Sequence, residues 1–137
     1  MSDGIIIVDH GSRQAESNRL LEEVATRFAG RFPRQYSIVE PAHMELAEPT
    51  IAAAYTRCVE RGATRVIVCP FFLGPGKHWT QDIPRLTAEA AKWHPHTTFC
   101  IAHTLGIDDL LLDLLAKRIA QCAESCPPVP AVPASAT

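Results

Sequence analysis

The chain has 137 residues, is 47% hydrophobic and 20% charged, and carries a net charge of −2 from 13 basic against 15 acidic side chains. That composition fits about one globular domain. It offers no basic field to hold nucleic acid and no apolar run near the roughly 20 residues that span a membrane. Five cysteines, an odd number with no secreted disulfide spacing, and a strand that begins too early to leave room for a signal peptide make the cytoplasm the expected compartment.

Ile5-Ile6-Ile7-Val8 reads as a first buried strand that runs into Asp9-His10-Gly11-Ser12. Leu20, Leu21, Val24 and Phe28 then give a helical stripe over about 14–29, with Gly30 as its expected stop. Tyr36-Ser37-Ile38-Val39 opens a second strand over about 36–41, which leads into Ala42-His43-Met44-Glu45. A helix near 49–61 should follow, with Pro49 in its first turn, an apolar face of Ile51, Ala54, Tyr55, Cys58 and Val59, and Gly62 at its end.

Val66-Ile67-Val68-Cys69 centres a third strand over about 64–70, followed by the Gly74-Pro75-Gly76 loop, Lys77 and His78. Asp82 is the expected N-cap of a third helix that reaches Trp93, with His94-Pro95 as its stop. A fourth strand is predicted over 97–102, and a last helix over 107–123 with Asp108 and Asp109 at its start and Lys117 and Arg118 near its end, as the macrodipole favours. From Cys126 the proline-rich stretch has no core pattern, so residues 1–123 read as one domain and 124–137 as a flexible tail. Cys58, Cys69 and Cys100 fall inside predicted elements, where small buried thiols are expected.

Four βα units with short connections predict an α/β fold: a flavodoxin-like, four-stranded parallel sheet in the order 2-1-3-4 with helices on both faces. That order sets the first and third strands side by side, so His10 and His78 meet at the topological switch point, where such sheets bind ligands. His43 and Glu45, two apart on an extended chain, should face the same side, one binding metal while the other accepts a proton. Arg13 and Lys77, beside the histidines, suit a ligand with several carboxylates, and Arg85 is a further cation near these clusters. Gly74-Pro75-Gly76-Lys77 is not a phosphate-binding loop, because Phe71 stands where a glycine is required and no Ser or Thr follows the lysine. His94 and His96 are expected as solvated turn residues at the opposite edge, and His103 ends the fourth strand without an acidic neighbour before Asp108.

Three segments resemble the class II sirohydrochlorin chelatases: Val-Asp-His-Gly-Ser-Arg at 8–13, Glu-Pro-Ala-His-Met-Glu-Leu-Ala-Glu-Pro at 40–49 and Pro-Gly-Lys-His-Trp-Thr-Gln-Asp-Ile-Pro at 75–84. Leu-Gly-Ile-Asp-Asp-Leu at 105–110 fits as well, and the resemblance covers about 1–120. It implies a lyase-class chelatase that inserts Fe²⁺ first, or Co²⁺ second, into the octacarboxylate sirohydrochlorin for sirohaem or cobalamin, with no organic cofactor. By motif, His10 and His78 match the metal-coordinating histidines, and Glu45 an acid in the same cleft. Arg13, Lys77 and His43 form the substrate-binding set. Long members of that family hold two such domains with the active cleft between them, whereas short ones are homodimers, which is the form this length suggests. The second segment is closest to plant-type sirohydrochlorin ferrochelatases, which carry an iron–sulfur segment. Here only Cys122 and Cys126 stand near that place, short of the usual four thiolates, so no cluster is expected.

Two other functions compete. A histidine-phosphatase-like enzyme also uses a His-Gly after its first strand, but it needs an arginine before the histidine, and Asp9 would repel the phosphate. A metal-binding or metal-delivery module could use the same histidines without catalysis.

Overall fold

The computed structural model describes residues 2–74 and 76–125, with Lys77, His78 and Trp79 described by their backbone alone. Strands and helices alternate as β1 (Asp3–Asp9), α1 (Ala15–Arg31), β2 (Ile38–His43), α2 (Ile51–Glu60), β3 (Arg65–Pro70), α3 (Lys77–Ala91), β4 (Thr98–Ile101) and α4 (Asp109–Ser125). The strands form one parallel sheet in the order β2-β1-β3-β4, as the sequence predicts. The chain divides into two compact units, Met1–Gly106 and Ile107–Thr137. The sheet and α1–α3 belong to the first and α4 to the second, so the expected 1–123 domain is described in two pieces. The tail expected over 124–137 lies outside the described residues beyond Ser125. Among the described residues no helix is long and apolar enough to cross a membrane.

Alternation along β1 builds two cores. Ile6 and Val8 face one side with Val66 and Val68 of β3, Ile51, Ala54, Tyr55 and Cys58 of α2, and Ile83 and Ala90 of α3. Ile5 and Ile7 face the other, against Leu21 and Ala25 of α1 and Val39 of β2. A strand buried on both faces needs an unbroken β-branched run rather than an alternating one, which is what Ile5–Val8 supplies. Gly4 is held small by α2: a Cβ there would come within 2.8 Å of the Cys58 Cβ. Burial in turn pushes the Cys58 thiol up to about 12, which keeps it protonated and inert.

Several boundaries differ from the sequence reading. Gly30 does not stop α1, which runs to Arg31 and closes with the Phe32 N–H donating to the Phe28 carbonyl at 3.1 Å. The rings of Phe28, Phe32 and Tyr36 cluster there, and this aromatic packing sets the exit. The N-cap of α2 is Thr50, whose hydroxyl accepts from the Ala53 N–H at 3.1 Å, so Pro49 stands outside the helix. Asp82 caps nothing, because α3 starts five residues earlier at Lys77 and takes Pro84 into its interior. An interior proline costs about 3 kcal/mol, and the buried face of Ile83, Thr87 and Ala90 offsets it. α4 extends to Ser125, which leaves Lys117 and Arg118 mid-helix and only the acidic start as expected. Cys100 is exposed rather than buried.

Candidate active site

The site grows out of the carboxyl ends of β1 and β2. Asp9 and His43 are the last register partners of the two strands, and parallel bonding continues one step further: Met44 N–H donates to the Asp9 carbonyl at 2.9 Å and Glu45 N–H to the His10 carbonyl at 3.0 Å. The chain then leaves β2 and returns at once, since the His43 N–H donates to the Pro49 carbonyl at 2.8 Å. Residues 44–48 are therefore a short excursion closed on His43, and Leu46 at φ +69° makes its turn.

Two side-chain rungs cross between the strand ends. The outer one joins His10 Nε2 to Glu45 Oε1 at 2.6 Å, with the two side chains 42% and 59% exposed. A contact this open contributes at most about 1 kcal/mol to stability. The inner rung joins His43 Nδ1 to Asp9 Oδ1, also at 2.6 Å, with His43 wholly buried and Asp9 24% exposed. His43 Nε2 is buried with no hydrogen-bond partner, a cost of about 1–3 kcal/mol that an apolar residue would avoid.

This arrangement corrects the expectation that His43 and Glu45 face one side. Glu45 points outward to His10, whereas His43 is turned into the fold and has no surface to offer a substrate. Arg13 lies exposed in the loop after His10. Arg85 is engaged by Asp82 at 3.5 Å and Glu89 at 3.4 Å, so it is no open anchor for a carboxylate. His78 and Lys77 open α3, on the loop that leaves β3 beside β1, and both side chains lie outside the described residues. The expected meeting with His10, the substrate role of Lys77 and the metal role of His78 thus fall outside the described residues. Among the described residues no three His, Cys, Asp or Glu side chains gather as a cage for a metal. Cys122 lies on α4, and Cys126 lies outside the described residues.

The donor chemistry of the His10–Glu45 pair suits a divalent metal. Two ligands each about 2.1 Å from one ion stand roughly 3 Å apart, so these donors need to part only slightly to admit one. A nitrogen and an oxygen donor bind borderline first-row metals without the thiolates that would retain them. Toward β4 the same edge carries a cavity of about 300 Å³ lined by Pro70, Thr80, Pro84, Ile101, Ala102, His103 and Thr104. His103, which the sequence places at the carboxyl end of the fourth strand, is among these lining residues. His94 was misread as solvated: its ring stacks on Tyr55 with centroids 5.5 Å apart, and its Nε2 meets Thr56 Oγ1 at 3.0 Å.

The CbiX family matches residues 4–122. This chain belongs to the CbiX family. It is 55% identical over 121 residues to the chloroplastic sirohydrochlorin ferrochelatase of Arabidopsis thaliana, covering 88% of this chain and 53% of that protein. It is 44% identical over 84 residues to the sirohydrochlorin cobaltochelatase of Methanocaldococcus jannaschii, covering 61% of this chain and 57% of that protein. SirB from Bacillus subtilis, solved with Fe³⁺, superposes with a TM-score of 0.78 at 26% identity, over 93% of this chain and 49% of that one. The chain thus spans about half the length of these CbiX relatives. The Arabidopsis protein is chloroplastic by name, so the cytoplasm expected from the sequence is not a property the family fixes.

Proposed function

We propose that this CbiX chain inserts a divalent metal, Fe²⁺ ahead of Co²⁺, into sirohydrochlorin. The observation that carries the reading is the open His10 Nε2–Glu45 Oε1 contact at the carboxyl edge of the sheet. The preference for iron is taken from the ferrochelatase of Arabidopsis thaliana, and the second place of cobalt from the Methanocaldococcus jannaschii protein.

The reaction exchanges one M²⁺ for two pyrrole protons with no change in oxidation state, so no redox or organic cofactor is required. His10 and Glu45 take a partly dehydrated ion, leaving its other positions open to the pyrrole nitrogens. As the ion passes to the macrocycle, Glu45 is released and accepts one pyrrole proton, and solvent takes the second. His78 is proposed as a further ligand of the ion. Arg13 and Lys77 are proposed to hold peripheral carboxylates by charge-assisted hydrogen bonds. A second copy of this chain, in a homodimer, is proposed to supply the other wall of the cleft.

An insertion assay with sirohydrochlorin and Fe²⁺, Co²⁺ or Ni²⁺ at matched concentrations tests the reading by absorbance. Acceleration over the protein-free rate with Fe²⁺ and Co²⁺ is expected. Metal binding without acceleration would leave only a delivery role.

A further inference from the structure

The inner rung, Asp9–His43, is not explained by metal insertion itself. His43 is completely buried, and it leaves Nε2 without a partner. An aliphatic side chain would fill that volume without burying an unpaired nitrogen. What the imidazole adds is a directed contact, Nδ1 to Asp9 Oδ1 at 2.6 Å, across the gap between two parallel strands at their last register pair.

That pair sits immediately before the outer one on both strands. Asp9 precedes His10 directly, and His43 precedes Glu45 by two residues along the excursion that starts and closes on it. His43 is thereby held at two points: its backbone N–H by Pro49, its ring by Asp9. Gly11 adds a third constraint on the same corner, because its φ of +93° brings its Cα against the Glu45 carbonyl, with no room for a Cβ. At a sheet's end the ladder stops, and an exposed imidazole–carboxylate contact adds at most about 1 kcal/mol of its own to hold the two strand ends together.

We infer that Asp9 and His43 are positioning residues: their buried contact locks the ends of β1 and β2 so that His10 and Glu45 converge as a preformed metal-capture pair. They do not touch metal or tetrapyrrole. They act through the backbone that carries the two groups that do, as supporting shells hold ligands in other metal sites. The inference rests on the proposed insertion only for its kinetic readout, because its first readout is metal binding without tetrapyrrole.

The test uses the full chain and Co²⁺, whose absorption reports ligand set and geometry. His43→Leu keeps the volume and removes the donor, whereas His43→Asn returns a donor near the place of Nδ1. Asp9→Ala removes the acceptor from the partly open side, where no core volume is lost. With folding checked by circular dichroism, His43→Leu and Asp9→Ala should each weaken Co²⁺ binding about tenfold or more and alter its spectrum. They should lower kcat for insertion with the sirohydrochlorin KM unchanged, and His43→Asn should recover most of both losses. Should His43→Leu prove unfolded, Asp9→Ala decides alone. Wild-type Co²⁺ affinity and spectrum in a folded Asp9→Ala would overturn the inference, as would a folded His43→Asn no better than His43→Leu. A wild-type protein that takes up no Co²⁺ would overturn it too, since the pair it serves would then hold no metal. A wild-type protein that binds Co²⁺ but does not insert it would remove the proposed function and leave the positioning role standing.

Discussion

Gly11 shows how tightly one residue is specified at this corner. Its φ of +93° lies in the left-handed region, and a Cβ would drive into the Glu45 carbonyl rather than into a flexible side chain. Gly11→Ala should therefore cost about 2 kcal/mol or more, the strain of the backbone adding to the displacement of a neighbour that cannot yield. Because the displaced atom belongs to Glu45, insertion should slow in the same variant even where it remains folded. Urea unfolding and the insertion rate read the two effects, and an unchanged midpoint would show that the loop relaxes freely. At this scale the sequence was only half legible. His10-Gly11 and Glu45 could be picked out as polar residues at strand ends. The burial of His43 could not, because the reading ended the second strand at about residue 41, whereas pairing with Asp9 carries it to His43.

The same pairing logic ties the elements at their other end. Asp3 and Arg65 open β1 and β3 as register partners, and the guanidinium donates to both carboxylate oxygens at 2.8 Å. Hydrogen bonding to Arg65 holds the Asp3 carboxyl below its ordinary value, against a smaller opposing effect of burial. A carboxyl lowered on folding stabilises the chain at pH values above its unfolded pKa, near 3.9, and loses that contribution as pH falls through its folded value. Asp3→Asn should therefore be slightly less stable than the parent at pH 7, and the difference should shrink in acid. An equal gap at neutral and acid pH, measured by urea unfolding, would contradict this. Hydrophobic runs and turn glycines sufficed to place all four strands and the end of α2. Helix starts were less legible: the cap of α2, Thr50, is fixed by its bridge to His43, and α3 begins at Lys77 after Gly76 with no side-chain cap. Asp82 favoured a late start for α3 as a capping residue, whereas the helix starts at Lys77 and carries Pro84 in its interior.

For the whole molecule, a parallel sheet ordered β2-β1-β3-β4 brings β1 between its two neighbours, so its carboxyl end can gather side chains from β2 on one side and the α3 entry on the other. The fold class was legible because four βα repeats allow few topologies. The division into two units was not, since no composition shift marks the stretch around Gly106. On the proposed reading, the open imidazole–carboxylate pair of this CbiX chain holds a metal only briefly. The most direct test of that claim compares Glu45→Gln and His10→Ala with the parent for Co²⁺ binding and for Co²⁺ insertion into sirohydrochlorin. Both variants should fold, His10→Ala should abolish insertion, and Glu45→Gln should slow it by more than it weakens metal binding. Parent-like insertion in both would show that the metal passes elsewhere.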